Sequence, residues 1–404
     1  MTTATGGDAL DEDPVCPLGL VRRTTASVVA ESRHVKISRE AIRALVASDD
    51  ARLGEDRVRS LRLDKWDETD HLVTSDADLT AQYLLVVDAA NFCFWPDGEL
   101  EYEHLAGNLR RSVEADPACL DADRLAGVTG EGLRALLRWP RELPQEEERA
   151  RLVREVGAAL ARHFGGKFSS MVRAADGSAS ALVDLITKHF PGFRDSCVYK
   201  GRQVRASPSA IPSIALRLTP PLSLSLRPPQ VFLYKRAQVR GSTEAKRPPP
   251  PVSFTEPLTH SLTRSLTRSF DASSSSSLQI LVGDIYGAFK GKGLGAFGDI
   301  RLVTMFADYR VPVTLLEMGV LEYSEELRSM VQRRETLASG CEMEVEIRAA
   351  TVQAVEMIIG EMAAVFEDKE VVPMSIEMDW YLWREGEKRR EVSDPHHRVL
   401  TIFY

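Results

Sequence analysis

The chain has 404 residues, of which 44% are hydrophobic and 27% are charged, a composition that supports a folded core in one large domain or two ordinary ones. Its net charge of −8 argues against a surface that binds nucleic-acid phosphates broadly, because such a surface is basic. No apolar run approaches the roughly 20 residues of a membrane span, and the acidic N-terminus lacks the regions of a secretory signal.

In chain order, the sequence predicts mainly helices. Residues 1–17 are an expected disordered tail, and Ser38 is a predicted N-cap for a helix over 35–50. An apolar run at 81–95 begins as a buried strand or helix, and Gly165-Gly166 should end a helix over 145–164. Further helices are predicted at 117–137, 179–190, 324–338 and 351–366, a glycine-rich loop at 291–298, and strands or helix ends at 341–348, 375–383 and 399–404.

Two segments, 204–230 and 239–279, interrupt this pattern. The first has no acidic residue, and the second contains four consecutive prolines, a repeated SLTR tetrad and a serine tract. Neither holds helical or strand periodicity, so both are expected to be disordered. The predicted fold class is therefore mainly α (α+β): one helical domain over 18–404 with small β elements and two low-complexity insertions.

The ends of the two segments are alike. Each begins with Val-Arg after a glutamine, and each ends in glutamine. Removing both leaves VYKGRQ–VFLYKRAQ–ILVGDIYGAF, in which VFLY reads as a strand. Our hypothesis is that both are in-frame introns retained in the translated sequence. Two genuine low-complexity loops remain the alternative.

Cysteine and histidine usage gives no metal motif. The five cysteines are scattered and none forms a CxxC pair, which suits reduced thiols. His396 and His397 are adjacent, but no third ligand follows at a metal-binding spacing. We expect a cytoplasmic protein without a metal or other cofactor.

The stretch TMFADYRVP, residues 304–312, places the carboxylate of Asp308 close to Phe306 and to the guanidinium of Arg310. A site that cleaves a bond to a nucleobase needs an anion to face a developing cation and flat surfaces to hold a ring. A helix end that carries Asp and Arg would have the same sequence.

A second aromatic stretch, DAANFCFW, lies at residues 88–95. It could be a core segment with a capping asparagine, or a ring-binding wall whose amide reads a base edge. Its candidate residues are Asp88, Asn91, Phe92, Phe94 and Trp95.

Further candidates lie at four places. Lys235 and Arg236 are either a solvated strand end or a phosphate site. The loop GKGLG at 291–295 lacks Walker spacing and suits a flexible active-site loop. Asp379 in DWYLW is a carboxylate among aromatic residues, costly to bury without a partner. His71 is a surface residue, a helix cap or a ligand contact.

Taken together, NFCFWPDG, FGGKF, FPGFRD, YKRAQ–ILVGD, TMFADYRVP, LEYSEEL, EVEIRAATVQAVE and MDWYLW resemble the queuosine salvage protein family. The likeness extends from about residue 28 to 404, broken by the two insertions. It implies hydrolysis of the N-glycosidic bond of queuosine 5′-phosphate, with release of queuine. It also implies a largely helical fold related in shape to DNA glycosylases.

The resemblance also implies roles for individual residues. The catalytic aspartate falls on Asp308, a ligand-binding histidine on His71, and an acid-aromatic pair on Asp379 and Trp380. Arg384 replaces a family carboxylate, a contact that Glu385 could take over.

From the chemistry of the substrate, Asp308 would stabilise or attack the ribosyl cation, and Asp379 would pair with the amine of queuine. Lys235 and Arg236 would take the phosphate, Asp88 and Asn91 would read the base edge, and Asp299 is a reserve acid. The aromatic candidates for holding the base are Phe92, Phe94, Trp95, Phe306 and Trp380, and Trp383 and Arg310 complete the predicted site.

Two other functions remain open. A non-catalytic carrier of queuine or a nucleoside could use the same pocket. A glycosylase acting on tRNA or DNA would require a basic surface, which the net charge opposes. The expected partners are the small-molecule substrate and its product queuine, without direct nucleic-acid binding or membrane contact, and the protein is expected to be a monomer.

Overall fold

Helices dominate the computed structural model, which describes residues 16–47, 51–61, 66, 68–69, 71–200, 231–232 and 278–404. The α-helices are α1 Pro17–Glu31, α2 Arg39–Val46, α3 Glu55–Leu61, α4 Ala77–Ala90, α5 Tyr102–Ala115, α6 Ala122–Ala126, α7 Gly130–Leu136, α8 Glu146–His163, α9 Phe168–Ala174, α10 Ala179–His189, α11 Leu278–Ala288, α12 Arg310–Glu317, α13 Glu325–Gln332, α14 Glu342–Val365 and α15 Ser375–Lys388. The mainly α prediction is confirmed.

Six short strands form three pairs among the described residues. The strands are β1 Val35–Ile37, β2 Ser196–Cys197, β3 Val231–Phe232, β4 Leu321–Tyr323, β5 Thr336–Leu337 and β6 Arg398–Val399. The pairs β1–β4 and β2–β3 are antiparallel, whereas β5–β6 is parallel. Each pair joins segments distant in sequence, so the strands tie the helical layers together.

Serine caps fix where several helices begin. The side chain of Ser38 accepts a hydrogen bond from the Ala41 backbone N–H at 3.2 Å, which confirms the predicted cap. The side chain of Ser324 accepts from Leu327 N at 3.3 Å in the same way. Helix α8 has three glutamates in its first turn, as its dipole favours, and Gly165 and Gly166 follow its end with positive φ, as predicted.

The longest of the described helices, α14, organises one half of the core. It packs against α1, α2 and β1, and nearly every side chain in its first half is buried. Arg348 on this helix forms a buried ion pair with Asp195, with Nη1 to Oδ1 at 3.1 Å. A second hydrophobic cluster contains buried residues of α4, α8, α10 and α11.

Several predicted boundaries were wrong. Residues 35–37 pair with β4 as a strand, so the helix starts only after Ser38. Residues 341–348 and 351–366 belong largely to the single helix α14, and 375–383 is the start of α15. Residues 342–348, EMEVEIR, alternate charged and apolar residues, and this strand-like period hides the start of α14.

The proposed insertions lie mostly outside the described residues. The first falls between β2 and β3, which pair side by side. At the end of the second, α11 begins at Leu278, and buried Gln279 accepts hydrogen bonds from the backbone and hydroxyl of Thr304. Since Gln238 and Gln279 are the same residue type, removing 238–278 or 239–279 leaves one sequence, with a glutamine before Ile280 either way.

Across the described ranges, no helix combines the length and apolar character needed to cross a bilayer.

Candidate active site

A cavity forms where the ends of several helices meet the last residue of the chain. Its walls come from Trp66 and His71, the loop after α4, the start of α5, the inner face of α11, the loop before α12, and α15. The lining residues are Trp66, His71, Asn91, Phe94, Glu101, Tyr102, Glu103, Ile280, Asp284, Phe306, Asp308, Tyr309, Asp379, Trp380, Trp383, Arg384, Glu387 and Tyr404.

Asp308 lies directly before α12 and is held by the start of that helix. Its Oδ1 accepts hydrogen bonds from the backbone N–H groups of Arg310 at 2.9 Å and Val311 at 2.8 Å. The side chain is buried but lines the cavity. The two donors and the positive end of the helix dipole favour a negative charge here. The arrangement fixes an anion in the cavity wall.

Asp379 connects the same loop to α15. Its Oδ1 accepts a hydrogen bond from the Phe306 backbone N–H at 3.0 Å. Asp379, Trp383 and Glu387 follow at four-residue intervals, so they share one helical face. Trp380 and Arg384 lie beside them and also line the cavity. One face of α15 therefore supplies two carboxylates, two indole rings and a guanidinium.

Arg310 supports this wall from behind. Its Nε donates to Glu387 Oε1 at 2.6 Å, and both side chains are largely buried. Arg310 itself is not among the cavity-lining residues. Arg310, a predicted binding residue, therefore positions Glu387. Glu385, the expected replacement for the family carboxylate, pairs with Lys388 at 2.7 Å and does not line the cavity.

His71 belongs to an aromatic group at one side of the cavity. Its Nε2 lies 2.7 Å from the Tyr102 hydroxyl, and its ring stacks on Trp66 with centroids 4.3 Å apart. Tyr102 in turn meets Trp383 edge to face at 6.1 Å. Trp66 and Tyr102 therefore hold the predicted histidine at the cavity.

Arg149 shapes the stretch between α4 and the cavity. Its buried guanidinium donates to the carbonyls of Ala90, Phe92 and Cys93 and lies 4.3 Å from the Phe92 ring centroid. Burial lowers the pKa of Arg149 to about 10, so it still carries its charge at neutral pH. The clamp leaves Asn91 and Phe94 at the cavity and keeps Phe92 in the core.

Other predicted residues lie away from the cavity lining. Trp95 donates its Nε1 hydrogen to the Val399 carbonyl at 3.1 Å. Asp88 is buried in the last turn of α4 and does not line the cavity. Lys235 and Arg236 lie outside the described residues.

Asp299, the reserve acid, also lies away from the cavity, because it caps α10. Its carboxylate accepts from the backbone N–H groups of Ala179 at 2.6 Å and Ser180 at 3.0 Å and from the Ser178 hydroxyl at 2.9 Å. We therefore do not retain it in the site.

Sequence reasoning overlooked half of the lining. Glu387 was recoverable, because it follows Asp379 and Trp383 at helical spacing. Asp284 is a single carboxylate in the apolar run LQILVGDIYGA, which is itself a signal. The other overlooked residues are Trp66, Glu101, Tyr102, Glu103, Ile280, Tyr309 and Tyr404. Tyr309 was recoverable, because it adjoins Asp308 in TMFADYRVP, whereas the others come to the cavity from distant segments.

Acidic groups outnumber basic ones among the described lining residues. The carboxylic side chains are Glu101, Glu103, Asp284, Asp308, Asp379 and Glu387, while the basic ones are His71 and Arg384. Burial raises the pKa of Glu101, and the nearby charge of Glu387 raises it further. Burial also raises the pKa of Asp284, to about 7. Such a cavity favours a ligand with a cationic group.

Aromatic walls around hydrogen-bonded carboxylates suit a small flat molecule with a charged part. Comparison with known sequences then gives the family. The profile of the family described as queuosine salvage protein matches residues 71–207 and 276–404, more than half of the chain. The chain belongs to the queuosine salvage protein family, which confirms the predicted resemblance.

Individual relatives agree over nearly their whole length. The chain is 38% identical over 397 residues to a protein of Dictyostelium discoideum, covering 96% of this chain and 99% of the relative. It is 33% identical over 402 residues to one of Sphaerobacter thermophilus, covering 97% and 99%. A protein of Mus musculus is 28% identical over 404 residues, covering 95% and 98%. Each is named queuosine 5′-phosphate N-glycosylase/hydrolase.

Proposed function

We propose that this protein is an N-glycosyl hydrolase that cleaves the glycosidic bond of queuosine 5′-phosphate and releases queuine for salvage. The observation that carries the proposal is Asp308, an anion fixed by two backbone N–H groups in the wall of an aromatic, acidic cavity. The names of the relatives supply the substrate.

Asp308 is the proposed catalytic residue. Breaking a ribosyl–base bond builds positive charge on the sugar, and a preorganised carboxylate lowers the energy of that state. Because the carboxylate is already hydrogen-bonded, it needs little rearrangement during the reaction. It would then accept the proton of the water that adds to C1′.

Flat side chains hold the base. Phe94, Phe306, Trp380 and Trp383 line the cavity and can each contribute about 1–3 kcal/mol by stacking. The amide of Asn91 can read the aminopyrimidinone edge. Asp379 is the proposed partner of the substrate amine, and the general excess of carboxylates favours that cation.

The phosphate requires a basic partner. Lys235 and Arg236 remain the proposed pair, and Arg384 is a guanidinium in the described part of the cavity that could assist them. Because carboxylates outnumber basic groups among the described lining residues, we expect a lone anionic ligand to bind this cavity poorly.

We further propose a single domain over 18–404 in a cytoplasmic monomer that binds no nucleic acid directly. Cavity residues come from 66 through 404, on both sides of the interrupted region, which supports one folded unit. The first insertion falls between paired strands, where a longer connection adds little closure entropy. Sequencing the transcript across both junctions tests the intron hypothesis, which a mature message carrying both segments would contradict.

A carrier of queuine would use the same aromatic walls but would not break the bond. The deciding experiment incubates purified protein with queuosine 5′-phosphate and follows free queuine and ribose 5-phosphate over many turnovers. The proposed hydrolase forms both products well beyond one equivalent of protein. Stoichiometric binding of intact nucleotide or of queuine without turnover would establish the carrier instead.

A further inference from the structure

A second carboxyl group in the cavity, that of Asp284, lies in surroundings unlike those of Asp308. It is on α11 and is only 5% exposed, yet it lines the cavity. Its Oδ1 accepts a hydrogen bond from Trp66 Nε1 at 2.9 Å. Neither the sequence motifs nor the function proposed above gives this buried group a role.

Two glycines bring aromatic rings against α11 beside this carboxyl group. A methyl group at Gly283 would lie 2.7 Å from Phe306 Cζ, and one at Gly287 would lie 2.4 Å from Trp66 Cγ. Larger residues at these positions would push the rings away. Asp284 therefore has an aromatic ring over the preceding residue and another over the residue three positions later.

This apolar setting favours the protonated acid. Burial raises the pKa of Asp284 to about 7, although the hydrogen bond from Trp66 lowers it. Asp308, by contrast, accepts hydrogen bonds from two backbone N–H groups at a helix start. Two carboxyl groups in one cavity, one in apolar and one in polar surroundings, form the usual division between acid and anion in glycoside hydrolysis.

The leaving group creates a need for such an acid. When the glycosidic bond breaks, both of its electrons go to the base. A 7-deazapurine has carbon where a purine has N7, so protonation at that nitrogen cannot assist departure. A proton must instead reach a heteroatom of the pyrimidinone ring or the departing nitrogen.

We propose that Asp284 is the general acid that protonates the departing base. The C1′–N bond breaks with its electron pair on the base, and the carboxyl proton of Asp284 passes to the base. The water oxygen bonds to C1′, and its proton passes to Asp308. Proton exchange with solvent restores both groups. The inference rests on the hydrolase function proposed above.

Other ionisable groups surround this site and must be separated from Asp284 in any pH experiment. In the cavity they are His71, Glu101, Tyr102, Glu103, Asp308, Tyr309, Asp379, Arg384, Glu387 and Tyr404. On α4 and α10, which pack against α11, they are Asp78, Tyr83, Asp88, Asp184, Lys188 and His189. Tyr286 is on α11 itself, and Lys290 pairs with Glu68 nearby. All of these groups are common to wild type and an Asp284 variant, so the difference between their pH profiles reports on Asp284.

The test compares Asp284→Asn with wild type on two substrates. One is queuosine 5′-phosphate; the other is para-nitrophenyl riboside 5′-phosphate, whose leaving group needs no proton. For the nucleotide, kcat should fall at least about a hundredfold, as for loss of a general acid. For the nitrophenyl compound, kcat should be unchanged, which also shows that the variant is folded.

The pH profile gives a second readout. An acid acts while protonated, so wild-type kcat/KM for the nucleotide should decline as pH rises past about 7, and this limb should vanish in Asp284→Asn. Trp66→Phe removes the hydrogen bond that favours ionised Asp284, which raises the pKa of Asp284. The decline of kcat/KM in this variant should therefore occur at higher pH than in wild type.

Two results would overturn the acid role: wild-type kcat for the nucleotide in Asp284→Asn, or equal losses on both substrates in a folded variant. Wild-type protein that cleaves the nitrophenyl compound but not the nucleotide would instead refute the proposed substrate.

Discussion

Asp308 and Asp284 both place a carboxyl group in the cavity, but the groups that surround the two carboxyls differ. The wall of Asp308 presents backbone N–H groups and a helix start. The wall of Asp284 presents Phe306 and Trp66 against two glycines, with one indole hydrogen bond. The difference teaches that surroundings, rather than residue type, set the two groups apart: burial raises the pKa of Asp284, whereas Asp308 accepts two backbone hydrogen bonds at a helix start.

The largest expected effect comes from changing Asp308, the carboxylate in polar surroundings. Asp308→Asn keeps an oxygen acceptor for the backbone N–H groups but removes the negative charge. We expect kcat for queuosine 5′-phosphate to fall by about a hundredfold to a thousandfold, as for loss of a preorganised transition-state contact. Single-turnover kinetics, with the dissociation constant measured on the same preparation, checks this expectation.

Asp299→Asn is the matched control for that change. Its carboxylate caps α10 outside the cavity, so the variant should lose stability, by about 1 kcal/mol, and keep its kcat. A large loss of kcat in Asp299→Asn alone would move the catalytic role away from Asp308.

A smaller effect is expected from Asp379→Asn, which tests the amine contact on the same wall. The amide oxygen can still accept from Phe306 N–H, so the loop should stay in place. Loss of the charge should weaken substrate binding by about 1–3 kcal/mol, seen mainly as a higher KM. Equal KM values for variant and wild type would assign the amine to another carboxylate of the cavity.

The last prediction concerns stability rather than activity and tests the apolar surroundings of Asp284. Gly287→Ala places a methyl group against the Trp66 ring, so we expect a loss of about 1–3 kcal/mol in unfolding free energy from overpacking. In Gly360→Ala, the exposed control on α14, the methyl group meets nothing within 4 Å and should add about 0.5–1 kcal/mol. Chemical denaturation measures both, and equal shifts would contradict the close contact at Gly287.

The sequence was sufficient for features encoded locally. The cap at Ser38 and the stop at Gly165-Gly166 depend on short-range hydrogen bonds and backbone angles, and both predictions are confirmed. The mainly helical class followed from the same signals. Helix α14 was divided wrongly, because its start, EMEVEIR, alternates charged and apolar residues with the period of a strand and so hides the helical period.

Long-range assembly explains what the sequence did not reveal about the site. No residue near Phe92 in the sequence indicates that Arg149, 57 positions later in the chain, holds this stretch in the core. Asp299 was a candidate catalytic acid because the sequence did not reveal its role as a cap of α10. The residues that it caps lie more than a hundred positions earlier. The cavity position of Asp308 remains the basis of a prediction about its role, which only substrate can test.

The most direct test is a crystal structure of Asp308→Asn with intact queuosine 5′-phosphate. We expect the nucleotide in the described cavity, its base against Phe306 and Trp380, and C1′ within about 3.5 Å of the side chain at 308, or one water molecule away, as a near-attack geometry requires. An intact nucleotide bound elsewhere, or one with C1′ turned away from position 308, would contradict the account.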